Sequence, residues 1–374
     1  MAIPFNKPYF SGNELSYMKQ AIESGKISGD GTYTRLCQAF FEKRYNVPRV
    51  LLTSSCTDAL EMAALLCRIE PGDEVIMPAY TFVSTANAFV LRGAIIRFVD
   101  CSPDHPNMDV SLLEKLITPK TKAIVCMHYG GMACDMAKLK TLCDSYKLYL
   151  IEDAAQAIES SFHGKPLGSF GHLATFSFHE TKNIISGEGG MLVINDEKLM
   201  ARAEILREKG TNRTAFFRGE VDKYTWVDLG SSYLPSELTA AYLWAQLECM
   251  DRIQQKRIRI WNRYMESLAV LKTDVMLPVV PDGATNNGHL FYLVCKNMEE
   301  RDALIAALRK KDIHAVFHYM ALHKSPYYMS RHDGRELPHC DYFSNGLVRL
   351  PVFYELEEDQ QNKIMKEVLS FYRP

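Results

Sequence analysis

The chain has 374 residues, of which 47% are hydrophobic and 24% are charged. Its formal net charge is −2 and its isoelectric point lies near 6.6, with Lys and Arg scattered along the sequence. This balance predicts a globular protein in aqueous solution and excludes the basic surface expected of a partner for nucleic acid or an anionic membrane. Any anionic ligand must therefore be held by a local site.

The sequence carries no sign of export or of a metal centre. The first residues, MAIPFNKPYFSGNEL, lack a basic segment followed by an apolar one, and no apolar run approaches the roughly 20 residues that span a membrane. The ten cysteines are irregularly spaced and form no Cys-x-x-Cys pair. We therefore expect reduced, mostly buried thiols, no metal site and a cytoplasmic location.

Segments typical of strands and helices alternate through the first half of the chain. A helix is predicted near 13–24, and the turn-rich residues 24–34 lead into a second helix. The next predicted strands are 49–53, 73–78, 95–100, 122–129 and 148–153, with helices at 57–67, 82–92 and 135–146, and ATFSFH and GGMLVIND add two strands. This order predicts an α/β fold with a mostly parallel central sheet flanked by helices.

The C-terminal part has a different pattern. A long helical pattern from Pro235 to Leu271 is predicted to lead into a second, smaller domain. That domain combines strands at HLFYLVCK and HAVFHY with a helix at 299–311 and a terminal helix, which is typical of α+β structure. We place the large domain at 1–250, including the N-terminal segment, and the small domain at 251–374.

Two motifs follow predicted strands and carry groups of opposite charge. Lys182 lies in the turn SFHETKNIISGEGG, and Asp153 ends the strand of IEDAAQA, with Gln156 three residues later. Taken alone, the lysine reads as a solvated surface charge and the aspartate as a helix N-cap. The functional interpretation is a covalently reacting amine, together with a carboxylate that holds a protonated pyridine nitrogen.

Two further motifs suit a phosphate and a flat ring. In LLTSSCTDAL, a strand leads into a helix whose first backbone N–H groups, with the hydroxyls of Ser55 and Thr57, form an anion cradle. In PAYTFVSTANA, Phe82 follows a strand and is placed to stack on a ring, although a core phenylalanine is the default for such a position. Lysine, carboxylate, phosphate cradle and aromatic plate together predict a site for pyridoxal phosphate.

With these motifs, the sequence resembles the DegT/StrS family of sugar-nucleotide aminotransferases, of fold type I, over essentially its whole length. The S-x-T-x-A-L turn, the E-D-A-A-Q motif and the S-F-x-x-x-K motif are all present. The resemblance implies that Lys182 forms the Schiff base with pyridoxal phosphate. It also implies that the following residues bind this cofactor: Ser55, Cys56, Thr57, Phe82, Asp153, Gln156 and Ser177.

One family motif departs from its usual form. Where many members have G-x-N-Y-R, whose Asn reaches the cofactor phosphate of the neighbouring subunit, this chain reads GSSYL. Ser232 thus replaces the Asn and can donate a single hydrogen bond with shorter reach. We expect Ser232 to bind the cofactor across a homodimer.

The resemblance also implies two substrates and the residues that contact them. The stretches FSFHETKN, REKGTNRTAFFRGEVDKYTW and AVFHYMALH resemble members that use a dTDP-linked 4-keto-6-deoxy sugar as acceptor and L-glutamate as donor. A packed aromatic strand end and a solvated surface are the competing interpretations of these segments. The predicted substrate contacts are Gly29, Gly31, Arg213, Arg218, His318, Tyr319 and His323.

Three alternatives stay open at this point. A sugar 3-dehydratase on the same fold replaces the lysine by histidine, so Lys182 argues against it, although His179 lies close by. A sugar-nucleotide-binding or regulatory relative without catalysis would not need the lysine, aspartate and glutamine together. An aminotransferase for a 3-keto nucleotide sugar differs only in the carbon that is presented, and the motifs do not distinguish it.

Overall fold

A seven-stranded sheet forms the centre of the computed structural model, which describes residues 2–373. Its strands run in the spatial order β1-β9-β8-β5-β4-β2-β3, and only β9 is antiparallel to its neighbours. A separate two-stranded hairpin pairs β6 with β7. The strands are β1 Arg49–Thr53, β2 Glu74–Pro78, β3 Ile95–Val99, β4 Thr121–Met127, β5 Tyr149–Asp153, β6 Ser161–Phe162, β7 Lys165–Pro166, β8 Leu173–Ser177 and β9 Gly190–Ile194.

Helices cover both faces of this sheet. Neighbouring residues of β1 point into different cores, with Leu51 in one and Val50 and Leu52 in the other. Burial on both faces explains why the strands read as continuous apolar runs. The helices of this part are α1 Glu14–Glu23, α2 Thr32–Tyr45, α3 Cys56–Leu66, α4 Val83–Val90, α5 Met136–Tyr146, α6 Met200–Arg207, α7 Arg213–Phe217 and α8 Glu237–Glu248.

A three-stranded antiparallel sheet lies in the C-terminal part, in the order β10-β12-β11. Its strands are β10 Phe291–Val294, β11 Val316–Phe317 and β12 Leu347–Leu350. The helices that accompany it are α9 Met250–Leu268, α10 Met298–Arg309, α11 Pro338–Gly346 and α12 Glu358–Tyr372. The predicted boundary between residues 250 and 251 falls at the start of α9, and the division into two domains stays a prediction.

The predicted long helix from Pro235 to Leu271 is wrong, because the chain forms two helices there. Cys249 has φ −104° and ψ 4°, which are not helical values, and it separates α8 from α9. The helices also bury different surfaces, since α8 is apolar on most sides whereas α9 buries a single stripe. Helical periodicity continues across Cys249, so periodicity alone did not reveal the break.

Strand β12 was not predicted, although it is the central strand of the small sheet. It has four residues, contains Arg349 and is followed by Pro351, so it lacks the long apolar run that signals a strand. The strand predicted at HAVFHY is also shorter than expected, since only Val316 and Phe317 pair. All five strands predicted between residues 49 and 153 are present within two residues of their predicted bounds.

The expectation for the cysteines is confirmed, because all ten are free thiols and only Cys249 is not fully buried. Among the helices of residues 2–373, none combines the length and the apolar composition that a membrane crossing requires. The parallel strands β1, β2, β5 and β8 end at the same edge of the large sheet. This edge carries the candidate site.

Candidate active site

A cavity of about 670 Å³ opens at the carboxyl edge of the large sheet, facing residues of the small sheet. Eight of the nine residues predicted to bind the cofactor come together here, although they are scattered over more than 120 positions of the chain; the ninth, Ser232, does not line this cavity. Two of the predicted substrate contacts, His318 and Tyr319, line the same cavity. The cofactor residues that line it are Ser55, Cys56, Thr57, Phe82, Asp153, Gln156, Ser177 and Lys182.

The N-terminus of α3 forms one end of this cavity. Ser55 is the N-cap, and its Oγ accepts a hydrogen bond of 3.0 Å from the N–H of Asp58. Thr57 Oγ1 lies 2.9 Å from Ser84 Oγ, so a cluster of hydroxyl groups surrounds the first turn. A Cβ atom added to Gly190 would lie 2.4 Å from the backbone N of Cys56. Only glycine at that position therefore lets β9 approach the first turn of α3 so closely.

The carboxylate of Asp153 lies at the end of β5 and is almost completely buried. Thr85 Oγ1 donates a 2.6 Å hydrogen bond to Oδ2, and the N–H of Ala155 donates a 3.1 Å hydrogen bond to Oδ1. Residues 154–159 form turns and not a helix, so Asp153 is not a helix N-cap. The carboxylate is oriented toward the cavity and keeps capacity to accept another hydrogen bond.

Gln156 connects the two sheets across the cavity. Its Oε1 accepts a 2.7 Å hydrogen bond from the N–H of Gly130, and its Nε2 donates a 2.9 Å hydrogen bond to the hydroxyl of Tyr319. Tyr319 has a positive φ of 50°, an uncommon conformation for a tyrosine. Its ring centroid lies 6.0 Å from that of Phe82, so the two aromatic rings border the same space.

Lys182 lies in the loop between β8 and β9, where burial lowers the pKa of its amine. The carboxylate of Asp153 opposes this shift, and the guanidinium of Arg349 adds to it. The next residue fixes the loop, because Asn183 Nδ2 donates to Gln254 Oε1 at 2.8 Å and to the carbonyl of Asn287 at 2.9 Å. A larger fraction of the Lys182 amine is therefore neutral than for an ordinary lysine.

His289 lies beside this loop and was not identified from the sequence. Burial holds its pKa well below the usual value, so the ring is neutral. Asn183 Oδ1 lies 2.9 Å from His289 Nδ1, and since the Asn183 amide NH₂ already donates elsewhere, Nδ1 is the donor. His289 also lines the cavity. Its sequence context, NNGHLFY, contains no motif that would have marked it.

Arg349 is the second residue that the sequence did not reveal. It lies on β12 between its partners Tyr292 and Val316, and its side chain lines the cavity. Burial lowers the pKa of its guanidinium, and its Nε has no hydrogen-bond partner within residues 2–373. An arginine on an unpredicted strand could have been found only by the structure.

Five of the predicted residues line a different cavity, of about 1000 Å³. Arg213 and Arg218 already pair with acidic side chains there, Arg213 with Glu208 at 3.5 Å and Arg218 with Glu204 at 2.8 Å. The structure therefore does not bring them to Lys182 within one chain. The five are Gly29, Gly31, Arg213, Arg218 and Ser232.

His323 lines neither cavity. It is 4% exposed and packs beside His332, with Nε2 3.3 Å from a carboxylate oxygen of Asp341. The predicted segment FHYMALH thus divides, with His318 and Tyr319 at the cavity and His323 in the packed interior. The positive φ of Tyr319 marks the point where the chain turns away.

Two buried groups of possible metal ligands lie outside both cavities: Cys126, His128 and Cys134 in one, and Asp100, Cys101 and Cys340 in the other. Their polar atoms already have protein partners. For example, His128 Nε2 contacts Glu152 at 3.1 Å, and Asp100 accepts hydrogen bonds from the N–H groups of Cys101 and Cys340. Nothing in their hydrogen bonding calls for an ion.

Comparison with known proteins agrees with this geometry. A profile of the DegT/DnrJ/EryC1/StrS aminotransferase family matches residues 8–369. The GDP-perosamine synthase of Vibrio cholerae is 32% identical over 378 residues, which cover 99% of both chains. The aminotransferase TlmJ from Streptoalloteichus hindustanus superposes with a TM-score of 0.92 at 27% identity, covering 100% of this chain and 99% of its own.

Spr1654 from Streptococcus pneumoniae, solved in its PLP-form, has a TM-score of 0.91 at 25% identity and covers 99% of this chain and 98% of its own. The cavity fits that cofactor, since it provides an amine, a buried carboxylate, a helix N-terminus with hydroxyl groups and an exposed aromatic ring. The predicted fold type, enzyme class and cofactor are thereby confirmed. The chain belongs to the DegT/DnrJ/EryC1/StrS aminotransferase family and is a pyridoxal-phosphate-dependent sugar-nucleotide aminotransferase.

Proposed function

We propose that this enzyme transfers an amino group from L-glutamate to dTDP-4-keto-6-deoxyglucose, giving dTDP-4-amino-4,6-dideoxygalactose. The observation that carries the amino transfer is the meeting of Lys182, Asp153 and the α3 N-terminus in one cavity. The choice of sugar rests on the sequence. The chain looks most like the dTDP-4-amino-4,6-dideoxygalactose transaminase of enterobacterial common antigen synthesis, and the segments FSFHETKN and REKGTNRTAFFRGEVDKYTW carry that resemblance.

Each cofactor contact is assigned to residues whose chemistry suits it. The first turn of α3, with Ser55, Thr57 and Ser177, is assigned to the phosphate, because helix N-termini and hydroxyl groups bind oxyanions. The exposed ring of Phe82 is assigned to one face of the pyridine ring. Cys56 is assigned to the phosphate through its backbone N–H. Its thiol takes no part as a nucleophile, because burial raises the pKa of the thiol and keeps it protonated.

Asp153 is assigned to the pyridine nitrogen, and Gln156 to the edge of the same ring. Thr85 and the N–H of Ala155 hold the carboxylate in place, so its orientation does not depend on the ligand. Bound pyridoxal phosphate supplies an aldehyde for amine attachment and a protonated ring that takes up an electron pair. A fixed anion at the nitrogen favours that protonated ring, and each pKa unit of bias corresponds to about 1.4 kcal/mol.

Lys182 is assigned two tasks. Its Nζ would hold the cofactor through a covalent bond, and the amine, once free, would act as the general base that takes the proton from Cα of L-glutamate and then as the general acid that gives it back. Burial and Arg349 favour the neutral amine, which is the form that accepts a proton. The same group acts in reverse order on the keto-sugar. Because the two substrates would react with the same cofactor in turn, we expect ping-pong kinetics.

The enzyme is proposed to act as a homodimer. In a single chain the side chains of Phe217, Trp226 and Leu229 are 70%, 77% and 51% exposed within residues 217–229, and a partner subunit that packs on this segment would bury them. In a dimer that covers these side chains, Ser232 is assigned to the partner's cofactor, and Arg213 and Arg218 are assigned to the partner's substrate. Light scattering should then give twice the 42.6 kDa mass of one chain.

The test is the visible absorbance of the purified enzyme with pyridoxal phosphate, before and after L-glutamate and then dTDP-4-keto-6-deoxyglucose. We expect L-glutamate to remove the cofactor band and the keto-sugar to restore it, with the amine at C4 in the product NMR spectrum. A band that is unmoved by L-glutamate would overturn the donor assignment. Absence of any band, even after pyridoxal phosphate is added, would contradict the assignment of Lys182 to the cofactor.

The acceptor is tested separately, because the GDP-perosamine synthase of Vibrio cholerae is 32% identical to this chain. A GDP-linked 4-keto-6-deoxy sugar and a dTDP-linked 3-keto sugar should therefore be offered to the enzyme in its amino-carrying form. We expect the dTDP-linked 4-keto sugar to restore the band at the highest rate. Faster restoration by either of the other two would replace the proposed acceptor.

A further inference from the structure

Two loops with predicted cofactor residues extend beyond the strands that place them. Asp153 is the last residue of β5 and Gln156 lies three residues further on, whereas Lys182 lies five residues beyond Ser177, where β8 ends. Strands β5 and β8 are neighbours, and their pairing ends with Asp153 opposite Thr175. The strands therefore fix where both loops begin, and other contacts must set how Lys182 lies relative to Asp153 and Gln156.

Asn287, in the segment before β10, contacts both loops. Its side chain is completely buried, and its Nδ2 donates hydrogen bonds of 2.8 Å to the carbonyl of Gln156 and of 2.8 Å to the carbonyl of Ile158. Its own carbonyl accepts a 2.9 Å hydrogen bond from Nδ2 of Asn183, the neighbour of Lys182. A single residue thus joins the loop after β5 to the loop after β8.

The side-chain amides of Asn183, Gln254 and Asn287 form a connected set, which we call the amide network. Asn183 Nδ2 also donates to Gln254 Oε1 at 2.8 Å, and Asn183 Oδ1 accepts a 2.9 Å hydrogen bond from Nδ1 of His289. Asn287 Oδ1 accepts a 3.0 Å hydrogen bond from the N–H of His289. Rotation of the Asn287 amide by half a turn would set its oxygen against two carbonyls, so its orientation is fixed. A buried network with satisfied donors holds its members in one arrangement.

The backbone around the amide network is closely packed. A Cβ atom added to Gly131 would lie 2.2 Å from Asn287 Oδ1, and one added to Gly288 would lie 2.6 Å from the carbonyl carbon of Arg257. Both glycines have a positive φ, 79° at Gly131 and 60° at Gly288, which glycine adopts readily. The turn after β4 and helix α9 therefore approach the segment of Asn287 closely, which leaves the network little room to shift.

We propose that Asn183 and Asn287 are positioning residues of the reaction, which hold the Lys182 amine in place relative to Asp153 and Gln156; this inference rests on the proposed function. Neither asparagine lines the cavity, so both act through the loops that they hold. The covalent attachment of the cofactor and the proton transfer both require the amine within reach of the reacting atoms. A displacement of about 1 Å can slow such a step about 100-fold.

The first experiment follows the attachment of saturating pyridoxal phosphate to the apoenzyme by absorbance, which needs neither substrate. N183A removes the hydrogen bonds from the lysine loop, and N287A removes those to Gln156 and Ile158. The control is N297A, because the exposed Asn297 accepts a 2.9 Å hydrogen bond from the N–H of Glu300 in α10, outside both cavities. We expect attachment to be about 10- to 100-fold slower in N183A and N287A and unchanged in N297A. Attachment at the wild-type rate in both network variants would overturn the proposal.

The second experiment separates positioning from substrate binding. In stopped-flow absorbance with L-glutamate, we expect the maximal rate constant of N183A and N287A to fall about 10- to 100-fold, while the half-saturating concentration changes less than about 3-fold. N297A should match the wild type in both quantities. An unchanged maximal rate constant with a raised half-saturating concentration would overturn the proposal, because the network would then act on binding. A wild-type enzyme that attaches pyridoxal phosphate but does not respond to L-glutamate would instead contradict the proposed function.

A general loss of packing is detected independently. Each variant must keep the circular dichroism spectrum of the wild type, and if N287A does not fold, N183A decides. The double variant N183A/N287A tests whether both residues act on the same geometry. We expect its attachment rate to fall by less than the product of the two single effects, since either substitution already releases the lysine loop from the loop after β5. Effects that multiply would indicate two unrelated defects and would overturn the shared positioning role.

Discussion

Thr85 Oγ1 donates a 2.6 Å hydrogen bond to Oδ2 of Asp153, 68 residues away along the chain. Thr85 lies in the first turn of α4, and its hydroxyl is also 2.8 Å from that of Thr81. A residue of α4 thus holds the buried carboxylate in place before any ligand binds. This arrangement ties the segment that follows β2 to the segment that follows β5.

The variant T85V tests this relationship. Valine has a similar shape but no donor, so one buried carboxylate oxygen loses its partner, which costs about 1–3 kcal/mol. We expect a lower free energy of unfolding and a first half-reaction with L-glutamate that is about 10-fold slower, because the carboxylate is less well oriented. Urea denaturation and stopped-flow absorbance measure the two effects.

The control for T85V is T85S, which keeps the hydroxyl group and loses only a methyl group. T85S should retain most of the half-reaction rate. If T85S and T85V are equally slow, the hydrogen bond to Asp153 does not explain the effect, and packing of α4 does.

The cofactor residues could be predicted because each follows a strand or begins a helix and differs in type from its neighbours. Lys182, Asp153 and Ser55 are polar residues at the ends of apolar strands, and parallel strands bring such ends to one edge. The resemblance to a family then assigned a role to each. Predictions of this kind depend on local order along the chain, which sequence patterns preserve.

The residues that were missed depend on contacts between distant segments. Thr85 is a helical threonine with no special sequence context, and Arg349 lies on a four-residue strand that no apolar run announces. Whether an arginine has a partner is a property of the folded chain alone. Arg257 donates to the carbonyls of Gly288 and His289 at 3.1 and 2.7 Å, whereas Arg349 has one contact of 3.5 Å, to the carbonyl of Phe317. The arginines that the sequence did suggest, Arg213 and Arg218, are paired with glutamates in another cavity.

Glu152, next to Asp153, gives a prediction about stability and pH. Its carboxylate accepts hydrogen bonds from His128 Nε2 at 3.1 Å and from the N–H groups of Gly168, Phe170 and Gly171 at 2.7, 2.8 and 2.7 Å. Burial acts to raise its pKa, but these hydrogen bonds prevail and hold the pKa below the usual value. The pKa is therefore lower in the folded than in the unfolded chain.

The direction of this pKa shift determines how the stability of the fold depends on pH. Glu152 stabilises the fold above its unfolded pKa of about 4.3, and that contribution is lost as the pH falls through the lower folded pKa. We expect E152Q to reduce the free energy of unfolding at pH 7 by about 3 kcal/mol, because its NH₂ group faces backbone donors. The deficit relative to the wild type should shrink in acid. E180Q, at an exposed position, is the control and should show neither effect; a deficit that is constant from pH 7 to pH 3 would contradict the prediction.

Gly190 gives a prediction about cofactor retention. The variant G190A would bring a methyl group to 2.4 Å from the backbone N of Cys56, so the first turn of α3 must move. We expect the dissociation constant of pyridoxal phosphate to rise at least about 10-fold and the fold to lose about 1–3 kcal/mol. Equilibrium dialysis measures the first effect and urea denaturation the second.

The matched control for G190A is G164A in the turn of the β6–β7 hairpin. Gly164 has φ 76° and no atom near an added Cβ, so alanine there is strained without a clash. G164A should lose about 1 kcal/mol of stability and bind the cofactor as the wild type does. Loss of the cofactor from both variants would indicate that general destabilisation, and not the α3 turn, is responsible.

The charges around Lys182 predict opposite effects of two substitutions. Burial lowers the pKa of the Lys182 amine, Asp153 raises it and Arg349 lowers it further. D153N should therefore lower this pKa, and R349Q should raise it. The pH dependence of pyridoxal phosphate attachment to the apoenzyme reports the fraction of neutral amine. Its midpoint should move to lower pH in D153N and to higher pH in R349Q. The control R309Q, at an exposed position of α10, should leave the midpoint in place. Midpoints that move in the same direction would show that these two charges do not act on the Lys182 amine with opposite signs.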